Sequence, residues 1–238
     1  MNAVIDIVLL IIIALCTWNG YKRGFIGGIA GILAVVVALF GGSLLSSAYS
    51  HELVPALEPF VSGYVDSQKN REEILEDMGY GDSEKSLNDI LTEDASLKSD
   101  YAYECLTSAG FYSKTADKLA ADAVELENES EMDMTEAVVA VICDTVSYVA
   151  GTALVFLMIL ILLIAIGSIG NLSMRLPNME GLDEIGGSIL GFVKGFIYCI
   201  LLCWLLSFMG IVIGRDTMSK TTLARFFLAF RFITNALM

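Results

Sequence analysis

Two stretches without any charged side chain constrain this chain more than its other features do. Residues 25–49 and 145–174 contain no Asp, Glu, Lys or Arg. A transmembrane helix needs about 20 mostly apolar residues to cross the hydrocarbon core of a bilayer, so both stretches are long enough. The whole chain of 238 residues is 55% hydrophobic and has a mean hydropathy of +0.68. We therefore predict an integral membrane protein.

Two further apolar stretches are candidate membrane spans, although each contains one charged residue. Residues 3–18 are short for a bilayer and include Asp6, whereas residues 189–213 include Lys194. Charged side chains are costly in hydrocarbon, so each must find a partner, a cavity or the headgroup region. Asp144, at the entrance of the third span, is a further candidate intramembrane acid.

Together these stretches predict an all-α integral membrane protein with four transmembrane helices. The predicted regions are a transmembrane hairpin at residues 1–49, an acidic helical insert at 50–136, a second transmembrane hairpin at 137–213 and an amphipathic helix at 214–238. The last region combines apolar residues at helical spacing with four basic residues, which is typical of a helix in the membrane interface. The alternative is that it packs against the other helices.

The insert carries most of the negative charge. Residues 51–136 contain 22 of the 28 acidic residues and 6 of the 14 basic ones. Helical patterns at 71–78 and 114–126 predict a small helical subdomain. Its acidic surface predicts contacts with envelope or secretion proteins and argues against nucleic acid as a partner.

Basic residues near the span ends predict the orientation. Lys22 and Arg23 lie between the first two spans, and Arg175 lies between the last two, so both loops are expected in the cytoplasm. The N-terminus and the acidic insert are then expected outside. The opposite orientation is the alternative. The C-terminal segment also carries basic residues, and the first orientation would place them outside the cell, where such residues are less favoured.

A seven-residue pattern occurs twice, as GYKRGFI at residues 20–26 and as GFVKGFI at residues 191–197. A duplicated two-helix unit would leave such a repeat, and convergence at two similar helix boundaries is the alternative. The glycines around it recur at intervals of three or four, which lets helix backbones approach closely in lipid. We expect tight helix pairs, within one chain or between copies of it. These glycines are Gly20, Gly24, Gly28, Gly31, Gly187, Gly191 and Gly195.

Three groups of residues form a candidate functional motif and carry a resemblance to a known family. They are Asp6 in the first span, the turn of Gly20, Arg23, Gly24 and Phe25, and the string of Asp183, Gly187, Gly191, Lys194 and Gly195. In these residues the chain resembles the colicin V production (CvpA) family of bacterial inner-membrane proteins. The resemblance implies a multi-pass protein of the bacterial cytoplasmic membrane that supports colicin V export or envelope homeostasis. It implies no established reaction.

The chain also departs from the pattern of that family. Members often have a basic residue directly after the second aspartate, where this chain has Glu184, and an acidic residue shortly after Gly-Phe, where it has Gly27 and Gly28. A charge pair between the two inner loops is therefore expected to be absent or rearranged here.

The residue types present argue against an enzyme. His51 is the single histidine, so a zinc site built from several histidines is excluded, and a serine hydrolase triad would have to use this residue. The sequence contains no phosphate-binding loop, dinucleotide fingerprint or calcium-binding loop. We therefore predict no catalytic residue, no metal and no cofactor.

The predicted function is that of a non-enzymatic scaffold, which forms a homo-oligomer in the lipid bilayer and supports export. The alternative is a small channel or transporter. In that case Arg23 and Lys194, multiplied in an oligomer, would form a basic inner mouth beside glycine-lined helices and favour anions.

Overall fold

A computed structural model shows helices as the regular structure of the residues that it describes. Those residues are 2–67, 74, 76, 78–79, 87, 91, 96–130, 132–169, 180–208 and 222–228. The helices are α1 (Asn2–Tyr49), α2 (Val54–Val65), α3 (Ser96–Ser108), α4 (Ser113–Glu129), α5 (Met134–Ile169), α6 (Glu180–Ser207) and α7 (Thr222–Leu228), with a 3-10 turn at Ser50–Glu52. The prediction of an all-α protein is confirmed for this part of the chain.

Within the described residues, three stretches of helix are long and apolar enough to cross a membrane, namely Val4–Glu52, Met134–Gly167 and Gly181–Ser207. Their outward positions hold large apolar side chains, and Phe40 and Ile161 are each about two-thirds exposed. Apolar side chains that point away from the protein are costly in water and suit contact with lipid.

Helix α1 is broken once, at Gly24, whose backbone angles are φ 73° and ψ −177°. Most residues avoid positive φ because their Cβ meets the backbone, at a cost of about 1–2 kcal/mol, whereas glycine has no Cβ. Lys22 and Arg23 remain helical up to this break. The predicted loop between the first two spans is therefore wrong, since one glycine replaces it.

The first half of α1, residues 2–23, runs antiparallel to α6. Near one end of the contact, the Cys199 thiol lies 3.5 Å from the carbonyl oxygen of Leu9. Further along, a Cβ added to Gly191 would lie 3.0 Å from the Cα of Gly20. From one contact to the next, the residue number in α1 increases while the residue number in α6 decreases, so the two helices are antiparallel.

The second half of α1, residues 25–49, runs parallel to α6. A Cβ added to Gly28 would lie 2.8 Å from the Cβ of Leu190, and one added to Gly31 would lie 3.3 Å from the Nζ of Lys194. In these two contacts the residue numbers of both helices increase together, so the helices are parallel. The two halves of α1 therefore run in opposite directions along the same helix, and the chain reverses at Gly24.

Helix α5 packs against the second half of α1. A Cβ added to Gly151 would lie 2.7 Å from the Oγ of Ser46, and one added to Gly41 would lie 2.8 Å from the Cδ1 of Ile159. These two pairs make α5 antiparallel to that half. Glycine at these places lets the helices approach closely, which is the usual form of helix packing in lipid.

The described residues fall into two compact units. One contains residues 2–48, 150–206 and 222–228, and the other contains residues 49–149 together with 207 and 208. Helices α1, α5 and α6 each contribute to both units.

The second unit has its own buried core, which includes Tyr101, Leu106 and Phe111. Helix α3 ends at Ser108, and Gly110 follows two residues later with φ 88°. Beyond that glycine the N–H of Phe111 donates to the carbonyl oxygen of Leu106 at 3.0 Å, and that of Gly110 donates to Thr107 at 2.9 Å. This pair of bonds is a Schellman motif, which satisfies the last carbonyls of a helix and starts the turn into α4.

Helix α7 is the only part of the predicted amphipathic helix that lies within the described residues. The rings of Phe227 and Phe196 lie 5.0 Å apart, so α7 packs against α6. Phe227 is buried whereas Phe226 is half exposed. Placement in the membrane interface stays a prediction. The predicted loop residue Arg175 lies outside the described residues.

Substitution of Gly191 tests the close contact between α1 and α6. A Cβ at this position would lie 2.5 Å from the carbonyl oxygen of Cys16, a backbone atom that cannot move aside. We expect Gly191→Ala to destabilise the protein by about 1–3 kcal/mol, as overpacking does. Thermal unfolding of the purified chain in detergent, followed by circular dichroism, measures the loss.

Gly181→Ala is the matched control for that experiment. Gly181 lies in the same helix, and a Cβ there would meet no atom within 4 Å among the described residues. Alanine favours helix over glycine, so this variant should be as stable as the parent or slightly more stable. Equal unfolding temperatures for the two variants would contradict the close contact.

Candidate functional site

The candidate site lies where α1 reverses beside the first turn of α6. Gly24 makes the reversal, and a Cβ at that position would overlap the carboxylate of Asp183. Asp183 precedes the predicted start of the fourth span at residue 189, and this predicted start is wrong. Helix α6 already begins at Glu180, and acidic residues near a helix start are favoured by the helix dipole.

The carboxylate of Asp183 caps the second half of α1. Asp183 is 2% exposed, and its Oδ1 accepts a hydrogen bond of 2.8 Å from the backbone N–H of Phe25. Phe25 is the first residue after the break, so its N–H has no partner within its own helix. A negative charge at a helix N-terminus is also favoured by the helix dipole. Asp183 therefore holds the start of this helix against α6.

The glycines of the predicted motif meet around this cap. Gly187 faces the backbone of Gly20 and Gly24, and Gly191 faces Gly20 from the next turn of α6. Gly195 continues the same contact one turn further on, against the backbone of Ile13. The structure thus brings the turn and the glycine string of the predicted motif together.

A cavity of about 220 Å³ opens beside the reversal, and we call it the basic cavity. Its walls come from both halves of α1, from α6 and from one residue of α5, all in the same unit. The residues that line it are Leu15, Cys16, Asn19, Gly20, Arg23, Gly27, Gly28, Gly31, Ile164, Leu190, Gly191, Lys194 and Tyr198. The two basic residues of the motif therefore line the same space.

Arg23 and Lys194 both line the basic cavity. Lys194 is partly buried, and its Nζ lies 5.5 Å from the ring centroid of Tyr198, a cation–π contact. Arg23 is exposed. Within the described residues, neither forms an ion pair with a carboxylate. Asp183 does not pair with either of them among the described residues, and its Oδ1 accepts the N–H of Phe25.

Asp6 lies away from this site. Its Oδ1 accepts a hydrogen bond of 3.1 Å from the backbone N–H of Leu223, at the start of α7. Both aspartates of the predicted motif therefore do the same work, since each accepts an N–H at the first turn of a helix distant in sequence.

Asp144 belongs to the other unit. Its Oδ1 lies 3.5 Å from the Nδ1 of His51, and both side chains are more than half exposed. Within the described residues, no group of three or more His, Cys, Asp or Glu side chains can hold a metal ion.

Two polar residues of the basic cavity were missed by sequence reasoning. Asn19 precedes Arg23 by four positions, and Tyr198 follows Lys194 by four positions. Residues four apart share one face of a helix, so this spacing could have indicated both. No pattern in the sequence indicates that the two faces belong to one cavity.

Substitution of Asp183 tests the cap. We expect Asp183→Ala to destabilise the protein by about 1–3 kcal/mol, because the N–H of Phe25 loses its acceptor in a buried place. Asp183→Asn keeps an acceptor oxygen without the charge, so it should lose less. Thermal unfolding of both variants in detergent measures the difference.

Glu184→Gln provides the control for the cap, because it removes a neighbouring acid on the same helix. Its effect should stay within about 0.5 kcal/mol, as for most surface substitutions. Hydrogen exchange of the amides after Gly24 adds a local measurement, and it should accelerate in Asp183→Ala alone. Unchanged exchange there would show that Asp183 is not the cap.

Comparison with known proteins places these features in a family. No curated protein and no solved structure matches the chain. The family model described as "Colicin V production protein" matches residues 5–72 and 109–231, which together make up most of the chain. The matched segments include every residue of the cap, of the glycine contact and of the basic cavity. The chain is therefore a membrane protein that belongs to the colicin V production protein family.

Proposed function

We propose that this protein is a non-enzymatic scaffold, which forms oligomers in the bacterial cytoplasmic membrane and supports colicin-type export. One observation carries the proposal. Most residues of the motif are engaged in holding helices together, through the caps of Asp6 and Asp183 and through the glycine contact. Groups fixed in such contacts are not free for chemistry on a substrate, whereas they suit a rigid platform.

Four membrane crossings are part of the proposal. Residues 2–23 and 25–49 run in opposite directions along α6, and at 1.5 Å per residue they are about 33 and 37 Å long. Either length suffices for a hydrocarbon core of about 30 Å. With α5 and α6, the two halves of α1 then supply four transmembrane helices.

The residues around the reversal support its position at the membrane surface. Trp18 and Tyr21 are exposed aromatic residues of the kind that are enriched at membrane interfaces. Lys22 and Arg23 follow directly, and basic residues in such places favour the cytoplasmic side. We therefore place the reversal at the cytoplasmic face and the acidic insert outside, where its charge can contact secretion or envelope proteins.

Helix α5 offers the surface for oligomer formation. Its outward face within the first unit contains Leu154, Leu157 and Ile161, each of which is more than half exposed. Gly167, near the end of this helix, has no neighbour within 4 Å of an added Cβ among the described residues. An apolar face with a small residue can pack against a second copy of the chain.

Photo-crosslinking in the membrane tests the scaffold. A photoreactive amino acid at Leu154 or Ile161 should yield discrete crosslinked oligomers or a defined crosslinked partner, because both positions point outward. The same amino acid at Leu160, which is 9% exposed, is the matched control and should give no intermolecular product. Exclusively monomeric protein at all outward positions would contradict the proposal.

The second candidate function is a small anion channel or transporter, which the basic cavity favours. Two cations line it without an acidic partner among the described residues, and an oligomer would multiply them. We expect chloride flux into liposomes that contain the purified protein to exceed cation flux. The double variant with Arg23→Gln and Lys194→Gln should lose this preference for anions. Lys22→Gln is the control, because Lys22 does not line the cavity. Absence of flux, or an unchanged preference in the double variant, would remove this candidate.

A further inference from the structure

We propose that the basic cavity is a binding site for a phosphate group, held between Arg23 and Lys194. This inference does not depend on the scaffold or on ion conduction, because a bound phosphate can serve either. Phosphate is the shared chemistry of two sources, the headgroup of an anionic phospholipid and free inorganic phosphate.

The charge of the cavity is unbalanced. Arg23 and Lys194 face one space of about 220 Å³, and among the described residues neither is paired with a carboxylate. Two like charges in a weakly polar environment repel each other more strongly than they would in water. An anion between them replaces this repulsion with two charge-assisted contacts, which are among the strongest hydrogen bonds in proteins.

The depth of Lys194 makes an anionic partner more favourable. Lys194 follows Asp183 by eleven positions, which is about 16 Å along α6 at 1.5 Å per residue. With the reversal at the membrane surface, as proposed above, a lysine at such depth is costly unless it has a partner or reaches the surface. The Nζ of Lys194 lies 5.5 Å from the ring centroid of Tyr198 and 3.3 Å from a Cβ added to Gly31, and both of these residues line the cavity.

The remaining wall fits an oxyanion. Asn19 and Tyr198 also line the cavity, and their amide and hydroxyl groups can donate hydrogen bonds to phosphate oxygens. On the second half of α1, Gly27, Gly28 and Gly31 line the cavity with backbone and without side chains. A Cβ at Gly31 would lie 3.3 Å from the Nζ of Lys194.

A neighbouring apolar cavity favours the phospholipid as the source. It has a volume of about 410 Å³ and lies in the same unit, and Tyr198 lines both cavities. Its walls are almost entirely apolar and include Ile12, Leu39 and Phe156. A lipid with its phosphate on the basic cavity has a place there for an acyl chain, whereas free phosphate has no use for it.

Lipid titration of the delipidated full chain in detergent tests the site. Native mass spectrometry counts phosphatidylglycerol and phosphatidylcholine bound per chain and gives their apparent Kd values. We expect phosphatidylglycerol to bind more tightly, and Arg23→Gln or Lys194→Gln to weaken it on the order of ten-fold or more, since a hydrogen bond to a charged group is lost. Lys22→Gln is the matched control, because Lys22 carries the same charge on the same helix and does not line the cavity.

Two additional variants keep the test decisive. Lys194→Arg retains the charge and should retain binding, which separates a lost contact from a misfolded protein. Ala153→Phe fills the apolar cavity. If the acyl chain lies in that cavity, this variant should bind phosphatidylglycerol more weakly and bind inorganic phosphate as the parent does. Circular dichroism checks the helix content of each variant.

The outcomes separate the sources. A preference for phosphatidylglycerol that Arg23→Gln and Lys194→Gln remove supports a lipid headgroup. Protection against thermal unfolding by inorganic phosphate, lost in the same variants and without any lipid preference, supports free phosphate. The proposal is overturned if neither phosphatidylglycerol nor inorganic phosphate binds. It is also overturned if Arg23→Gln and Lys194→Gln leave the binding unchanged.

Discussion

The hydrogen bond between the carboxylate of Asp183 and the N–H of Phe25 is the contact on which the arrangement of the first unit depends. Reversal at one residue leaves the first turn of a helix with unsatisfied N–H groups next to another helix. In apolar surroundings each such group costs free energy, and a buried carboxylate removes that cost for the first of them. The cap also ties the start of this helix to α6.

The glycine contact and the cap require each other. Gly20 and Gly191 let the backbones of α1 and α6 approach closely, and this approach brings Asp183 to the reversal. A side chain at Gly24 would overlap that carboxylate, so the residue that turns the chain also admits its cap. The motif of the colicin V production protein family is therefore, in this chain, largely a device for fixing helices.

Arg23 and Lys194 are the motif residues that this device does not use. They share the basic cavity with Asn19 and Tyr198, and among the described residues they have no acidic partner. The aspartates and glycines of the motif are fixed in helix contacts, whereas Arg23 and Lys194 are available to a ligand. The basic cavity is therefore the part of the molecule in which a ligand can bind. A rigid bundle with a charged cavity near one end suits both a scaffold and a lipid-responsive membrane protein.

The sequence by itself determined the helical class, the apolar stretches and the family, because hydropathy and glycine spacing are local properties of the chain. It indicated Asp6 and Asp183 but not their partners, which lie 217 and 158 positions away. It predicted a loop at Lys22 and Arg23 where Gly24 alone reverses the chain. Only the tertiary structure decided these points and the joining of Arg23 and Lys194 in one cavity. The physical reason is that contacts between distant backbones arise from packing, which leaves no periodic signal in the segments that it joins.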